Sequence, residues 1–434
     1  MTPLLLLSAY MAATPPLVIV GARIEVGDGR IIPVGSILIE DGKISTVGDN
    51  FEVPTGTTSI DGKGLTVYPG FIDAYSTSGL KLPTPRTSGT PIPDTRNTAP
   101  ASMWKENRRG IRGDVKAAKC LDLKGPFTEK YKDGITYGVL SGGDGTLAGS
   151  ATLVSFATEA AVVVPEVASE IVFRGGRPGA GMTEMGGGQG RPPATTSEPT
   201  YAYPQTLLGI TALMRQTLYD AKSYAEKTNP KEDPTYEGLR PLVTGKLPAL
   251  STLSSGREIA RVAHFANEFG FKLIINGGLD AYRMTETLKK LSAPVIINLD
   301  LTDEPTRKVA EGRDVTPQAV LDDRWKTWKE RSGNAKVLNE AGIPLAVRGS
   351  LGTKGYLAGV RKLIEYGLPR EAALKAMTSG AAKIFGVSDR LGTIEAGKIA
   401  NLVIMNGDFA NEKSTVVSVV VDGKSIVLGA NAPK

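Results

Sequence analysis

Apolar positions along this chain follow two rhythms. At the start, Leu17 to Ile24, Ser36 to Glu40 and Lys43 to Val47 read as strands, and Glu40-Asp41-Gly42-Lys43 puts Asp-Gly at the two hairpin positions that need positive φ. At the other end, Asn401 to Met405 and Val416 to Val421 read the same way, with Asp422-Gly423 turning into Lys424 to Leu428. Each set is too small to bury a core alone, so the two are expected to pack together as one composite β domain. Between them, Ile135 to Leu140, Leu247 to Leu253, Lys272 to Asn276, Pro294 to Leu299 and Ile343 to Val347 are strand-like and separated by amphipathic stretches, the βα alternation of a parallel sheet. The clearest helix is Arg257 to Phe269, with Ile259, Val262, Ala263, Ala266 and Phe269 at helical spacing and Gly270 as its stop. A second is expected from Pro369 toward Gly386, carrying Ala373, Leu374, Met377, Ala381 and Ile384.

Residues 174–205 break the rhythm with Gly175-Gly176, Gly186-Gly187-Gly188 and Pro192-Pro193, and reading them as disorder competes with reading them as a substrate lid. Lys81 to Ala101 is a shorter stretch of the same character. The run Leu4 to Leu7 followed by Ala12-Ala13-Thr14-Pro15-Pro16 resembles the apolar region and cleavage site of a secretory signal, although no Lys or Arg precedes it. A periplasmic or secreted location is the expectation; the alternative is cytoplasmic, with a disordered N-terminus or a misplaced start. The expected division is residues 1–16 as leader, 17–67 and 387–430 as the composite domain, and 68–386 as the central α/β unit.

Composition narrows the classes. With 434 residues, 41% apolar and 22% charged, the chain is long enough for a large core plus an accessory piece. Its net charge of +6 is dispersed, and the densest runs, Lys105 to Arg112 and Arg324 to Arg331, mix acids with bases as solvated helix surface does. No basic face with stacking aromatics points to nucleic acid, and no run is long enough to span a bilayer. The lone Cys120 forms no internal disulfide and does not decide the compartment; no Cys follows the apolar leader to carry a lipid.

Two motifs carry a resemblance. Tyr68-Pro69-Gly70-Phe71-Ile72-Asp73 follows a strand, and Gly392-Thr393-Ile394-Glu395-Ala396-Gly397-Lys398-Ile399-Ala400-Asn401-Leu402-Val403 stands near the other end. Each alone is modest, but their order and positions resemble the amidohydrolase superfamily, nearest its imidazolonepropionase-like branch, over about Leu17 to Leu428. The resemblance implies a (β/α)₈ TIM-type barrel with a composite β-sandwich from both termini, and hydrolysis of non-peptide C–N bonds by a water bound to zinc or another divalent metal. Such chemistry needs neutral imidazoles and carboxylates at strand ends.

Those imidazoles are missing. The two His positions of the family's Asp-x-His-x-His match Tyr75 and Thr77, and the His-x-His positions of a later strand match Thr252 and Ser254. The next strand ends with Asn276-Gly277 where relatives have a His, and the last barrel strand ends Val347-Arg348-Gly349-Ser350 without the proton-shuttling Asp. Asn401 likewise replaces an Asp at a position that is structural in the family. The chain's one histidine, His264, falls at roughly 100° per residue on the side of its helix opposite the apolar stripe, which argues against a ligand and against a Ser-His-Asp or Cys-His mechanism.

Asp73, Asp280, Asp300 and Asp303 lie near expected strand ends and would suit Ca²⁺ or Mg²⁺ if they converged; as isolated residues they read as caps and turns. Ser141-Gly142-Gly143-Asp144-Gly145 lacks the Lys-Ser/Thr of a phosphate loop. The sequence therefore points to a pseudoenzyme-like member without a metal or other cofactor, a ligand-binding or scaffolding protein whose mouth is lined by Tyr75, Thr77, Thr252, Ser254, Asn276, Arg348 and Ser350, groups that suit a small polar molecule. The alternative is an active hydrolase of small amides with a rebuilt carboxylate-based or metal-free site. Members of the family often dimerise, so a homo-oligomer is an open partner state.

Overall fold

The computed structural model describes residues 15–49, 51–83, 111–142, 145–157, 160–173, 206–309, 316–349 and 355–428. Residues 1–14 of the leader expected at 1–16 and the Gly-rich run 174–205 lie outside these residues, as does most of the Pro- and Thr-rich stretch from Lys81 to Ala101.

The N-terminal strands are β1 (Leu17–Glu25), β2 (Ile31–Glu40), β3 (Lys43–Gly48), β4 (Thr58–Asp61) and β5 (Thr66–Pro69). The central ones are β6 (Phe71–Ser76), β7 (Ile135–Leu140), β8 (Leu147–Phe156), β9 (Ala160–Ile171), β10 (Ala249–Leu253), β11 (Leu273–Gly277), β12 (Val295–Asn298) and β13 (Leu345–Arg348). The last are β14 (Leu402–Met405), β15 (Val416–Val421) and β16 (Lys424–Val427).

The two ends of the chain do make one sheet, in the order β16-β15-β14-β5-β1-β2-β3 with β4 beside β1. Its join is the antiparallel pair β14–β5, where Leu402 opposes Pro69 and Met405 opposes Thr66. Both Asp-Gly turns form, with Asp41 and Gly42 at φ 49° and 74°, and Asp422 and Gly423 at 49° and 80°. They also meet: a Cβ on Gly423 would sit 2.6 Å from the Gly42 Cα, so glycine serves both the turn and the close approach. The interior is apolar, built on Ile19, Ile24, Ile37, Ile39, Val67, Leu402, Ile404 and Val420.

At Pro69-Gly70-Phe71 the chain passes from this sheet to the second. The Gly70 N–H donates to the Asn401 carbonyl at 2.8 Å, and a side chain at Gly70 would collide with the Thr136 hydroxyl. The two motifs that carried the resemblance thus touch. Asn401 has a structural role here, since its amide oxygen also accepts the Asp422 N–H.

The second sheet runs β6 through β13 in chain order, and β13 lies alongside β6. The Gly349 N–H just past β13 donates to Asp73 Oδ1 on β6 at 2.8 Å. The fold is the α/β TIM-type barrel with a composite β domain. One departure from a uniform βα repeat is that β8 runs antiparallel to both β7 and β9. Small residues and Gly149 in β8, and Pro165 in β9, hide the alternation that would announce these strands.

Helix Gly256–Phe269 starts at a capping box between Ser255 and Glu258 and stops at Gly270 with φ 72°. The helix expected from Pro369 is divided into Arg370–Met377 and Ser379–Ile384. At the break, the Thr378 hydroxyl donates back to the Leu374 carbonyl at 2.7 Å, and Gly380 packs against the Leu345 carbonyl at the start of β13. Phe385, Val387 and Leu391 beyond it join Ile72, Leu250, Ile274, Ile296 and Ala346 in one apolar cluster near the strands' N-terminal ends.

Candidate functional site

Barrels place reacting groups at the C-terminal ends of their strands, and there the sheet gathers a set of buried polar side chains. On β6 the register gains one residue between the pairs Asp73–Gly138 and Ser76–Leu140, a bulge of the kind that re-aims a side chain. Tyr75 lies in that bulge and is 4% exposed. Its hydroxyl donates to Glu170 Oε1, near the end of β9, at 2.8 Å. The Ser141 hydroxyl, just past β7, donates to Glu170 Oε2. From the other side, Asn276 and Thr252 stand opposite each other in the β10–β11 register, and Asn276 Nδ2 donates to Thr252 Oγ1 at 2.8 Å. The Thr252 side chain acts on the Tyr75 phenol as well, in the direction that lowers its pKa.

Two hydrogen-bonded groups therefore meet at the mouth, Asn276 with Thr252 on one side, and Tyr75 and Ser141 on the Glu170 carboxylate on the other. Burial and the adjacent Glu170 carboxylate push the Tyr75 phenol well above its ordinary range, so it remains a neutral donor. The Arg348 guanidinium carbon, at the end of β13, lies 5.9 Å from the Tyr75 ring centroid. Asp73, two residues before Tyr75, is buried, which raises its carboxyl; the Gly349 N–H, Lys130 and Arg348 act against that rise.

Of the expected lining, Tyr75, Thr252, Asn276 and Arg348 are brought together. Thr77 and Ser254 are half-buried just beyond the ends of β6 and β10, and Ser350 lies outside the described residues. Sequence reasoning missed Glu170 and Ser141. The signal for Glu170 was present, a lone acid within the apolar run Val167 to Phe173, but it speaks only once that run is seen to be a buried strand. The carboxylates weighed as an oxygen site do not converge. Asp280 pairs with Arg331 at 2.9 Å, and Asp303 with Lys362 at 2.6 Å on the surface. Asp300 stands in the turn after β12, its N–H held by Asn298 Oδ1 at 3.1 Å. His264 faces solvent, its side chain 74% exposed and 3.9 Å from Glu268.

The donor set does not fit a catalytic divalent ion. Neutral phenol, hydroxyl and carboxamide groups are weak ligands for zinc, both oxygens of Glu170 already accept hydroxyls, and a guanidinium lies 5.9 Å from the Tyr75 ring centroid. Among the described residues no group of three or more His, Cys, Asp or Glu side chains is placed to hold a metal ion. Nor does any helix among them have the length and apolar character to cross a membrane.

A composite sheet joined to a barrel with polar groups at its mouth is the architecture that the resemblance implied, and comparison with known proteins finds the same fold. The amidohydrolase family profile matches residues 335–426, the last barrel strand through most of the C-terminal sheet. An amidohydrolase from Thermotoga maritima MSB8 superposes with a TM-score of 0.70 at 22% identity, covering 95% of this chain and 100% of that one. A prolidase solved with N-methylphosphonate-L-proline gives 0.52 at 17% identity, covering 95% and 100%. Molinate hydrolase gives 0.51 at 15% identity, covering 95% of each. At these identities the likeness speaks for the fold.

Proposed function

We propose that this protein is a ligand-binding member of the amidohydrolase superfamily, a pseudoenzyme with respect to the metal-bound-water mechanism, which holds a small polar molecule above the C-terminal ends of its barrel strands. One observation carries the reading: the positions that the resemblance matches to metal ligands are occupied by Tyr75, bonded to Glu170, and by Thr252 and Asn276, bonded to each other. That network forms a floor. The half-buried Thr77, Ser254 and Asn298 stand at the strand ends around it, polar residues of the kind that border a small-molecule site. A scaffolding role uses the same closed floor without a ligand. In keeping with the expected leader, the site would act in the periplasm or outside the cell.

The test is metal analysis of the purified protein, assay of small amides with and without chelator, and thermal shift across a panel of polar metabolites. A metabolite that raises Tm, with the rise lost in T77A/S254A, is the expected result. Stoichiometric zinc with chelator-sensitive turnover would sink the reading. The second reading, a hydrolase with a carboxylate-based site, is favoured by one feature, the buried Asp73 whose carboxyl is raised. It predicts amide turnover that ignores chelator and disappears in D73N.

A further inference from the structure

Among the described residues, hydrogen-bonded ladders join β6 through β13 in turn, but none joins β13 back to β6, although the two strands lie side by side. Elsewhere the ladders are continuous, from Ala249–Leu273 to Leu253–Gly277 between β10 and β11, and from Val295–Leu345 to Asn298–Arg348 between β12 and β13. At the β6–β13 seam, backbone groups find side chains instead. The Gly349 N–H donates to Asp73 Oδ1 at 2.8 Å, and the Ile72 carbonyl accepts the Tyr356 hydroxyl at 2.9 Å. Asp73 and Tyr356 are both buried, and Tyr356 is fixed in turn by its own N–H, which donates to Asp133 Oδ2 at 2.9 Å.

The seam runs through the mouth. Tyr75 follows Asp73 on β6 by two residues, Arg348 directly precedes Gly349 on β13, and the guanidinium carbon lies 5.9 Å from the Tyr75 ring centroid. Tyr75, Thr252 and Asn276 are all buried, so a molecule reaches them only where the barrel parts. We infer that the β6–β13 seam is the joint at which the C-terminal end of the barrel opens, with the Asp73–Gly349 bond as its latch. Parting any other strand pair breaks a row of ladder bonds and leaves the backbone groups of both strands to be satisfied anew. Parting the seam breaks the Asp73–Gly349 and Tyr356–Ile72 bonds, so it is the opening that costs least, and local openings are drawn from the least-bonded parts of a fold. The other end of the barrel stays shut, because Phe385, Val387 and Leu391 share one apolar cluster with Ile72 of β6 and Ala346 of β13. That plug makes the movement a hinge. The inference goes beyond the ligand-binding reading, since it concerns how the mouth opens and its first test needs no ligand.

That test is hydrogen exchange of the full chain read by mass spectrometry. Y356F and D73A each remove one seam bond. Both should speed exchange in peptides covering β6 and β13 by about fivefold or more, the worth of one net hydrogen bond, while peptides covering β10 and β11 keep the wild-type rate. A covalent latch gives the converse. A Cβ on Gly349 would lie 3.6 Å from the Asp73 carboxyl carbon, which brings thiols at the two positions within disulfide reach. In D73C/G349C with C120S, oxidation should slow exchange in the β6 and β13 peptides below wild type, and dithiothreitol should release it. If D73A does not fold, Y356F and the disulfide decide the matter. The inference is overturned if the seam variants exchange like wild type, if they speed every strand alike, or if the oxidised disulfide protects nothing. A metabolite that raises Tm as much in the oxidised as in the reduced protein would also overturn it. A metabolite panel without hits would defeat the ligand-binding reading and leave the exchange results untouched.

Discussion

The two ends of the barrel are sealed by opposite means. At the N-terminal end, Phe385, Val387 and Leu391 close over Ile72, Leu250, Ile274, Ile296 and Ala346, an apolar plug held by packing. At the C-terminal end, Tyr75, Thr252, Asn276 and Arg348 are just as buried, yet they are joined by hydrogen bonds and charge. An apolar plug stabilises by the area it removes from water. A polar one roughly breaks even, because each group trades its water for a protein partner. Stability alone therefore explains the bottom of the barrel and does not explain the mouth. That contrast is why the functional proposal is attached to the mouth.

Breaking the apolar seal should have the largest effect. Phe385→Ala leaves a cavity in the plug and is expected to cost about 3–5 kcal/mol in denaturant unfolding, with any metabolite-induced thermal shift retained at lower absolute Tm. If that shift vanishes with the plug, the two ends are not separable and the contrast fails. A smaller loss is expected at the mouth. Tyr75→Phe removes the donor to Glu170 while keeping the ring, and should cost about 1–3 kcal/mol and alter the ligand-induced shift. An unchanged shift would mean that the network is not the floor of the site.

The smallest effect is a pH control away from both seals. Hydrogen bonds from Lys398 and Thr393, with Arg30 beyond, hold the Glu395 carboxyl down at about 2 from its ordinary 4.5. Because the folded value lies below the unfolded one, its contribution is complete above about pH 4.5 and is lost as pH falls toward 2. The side chain is 41% exposed, so the contribution is discounted to below about 1 kcal/mol. Acid unfolding of Glu395→Gln against wild type measures it. A difference that instead grew as pH rose above 5 would contradict the assigned sign.

Much of the architecture could be read from local pattern. The Asp41-Gly42 and Asp422-Gly423 turns form where positive φ is demanded, and the helix ending at Gly270 stops where its pattern stops. These are short-range constraints, set by a few neighbouring residues. The antiparallel strand β8 was not legible, since a continuous buried run with small residues lacks the period-two signal. The division of the last barrel helices at Thr378 depends on packing against β13, a partner far away in the chain.

The candidate site divides along the same line. Which residue types stand at the positions that the resemblance matches to metal ligands, and that the one histidine falls on the polar side of its helix, follows from the order of amino acids alone. That order also dictates the two β termini and their turns, because turn chemistry and side-chain alternation are local. The convergence of Tyr75 and Ser141 on Glu170, the bond from Asn276 to Thr252, and the placing of Arg348 beside the Tyr75 ring required the folded barrel. Hydrogen bonds and charge compensation act over a few ångströms between residues that stand far apart in the chain, and only closure of the sheet brings them within that reach.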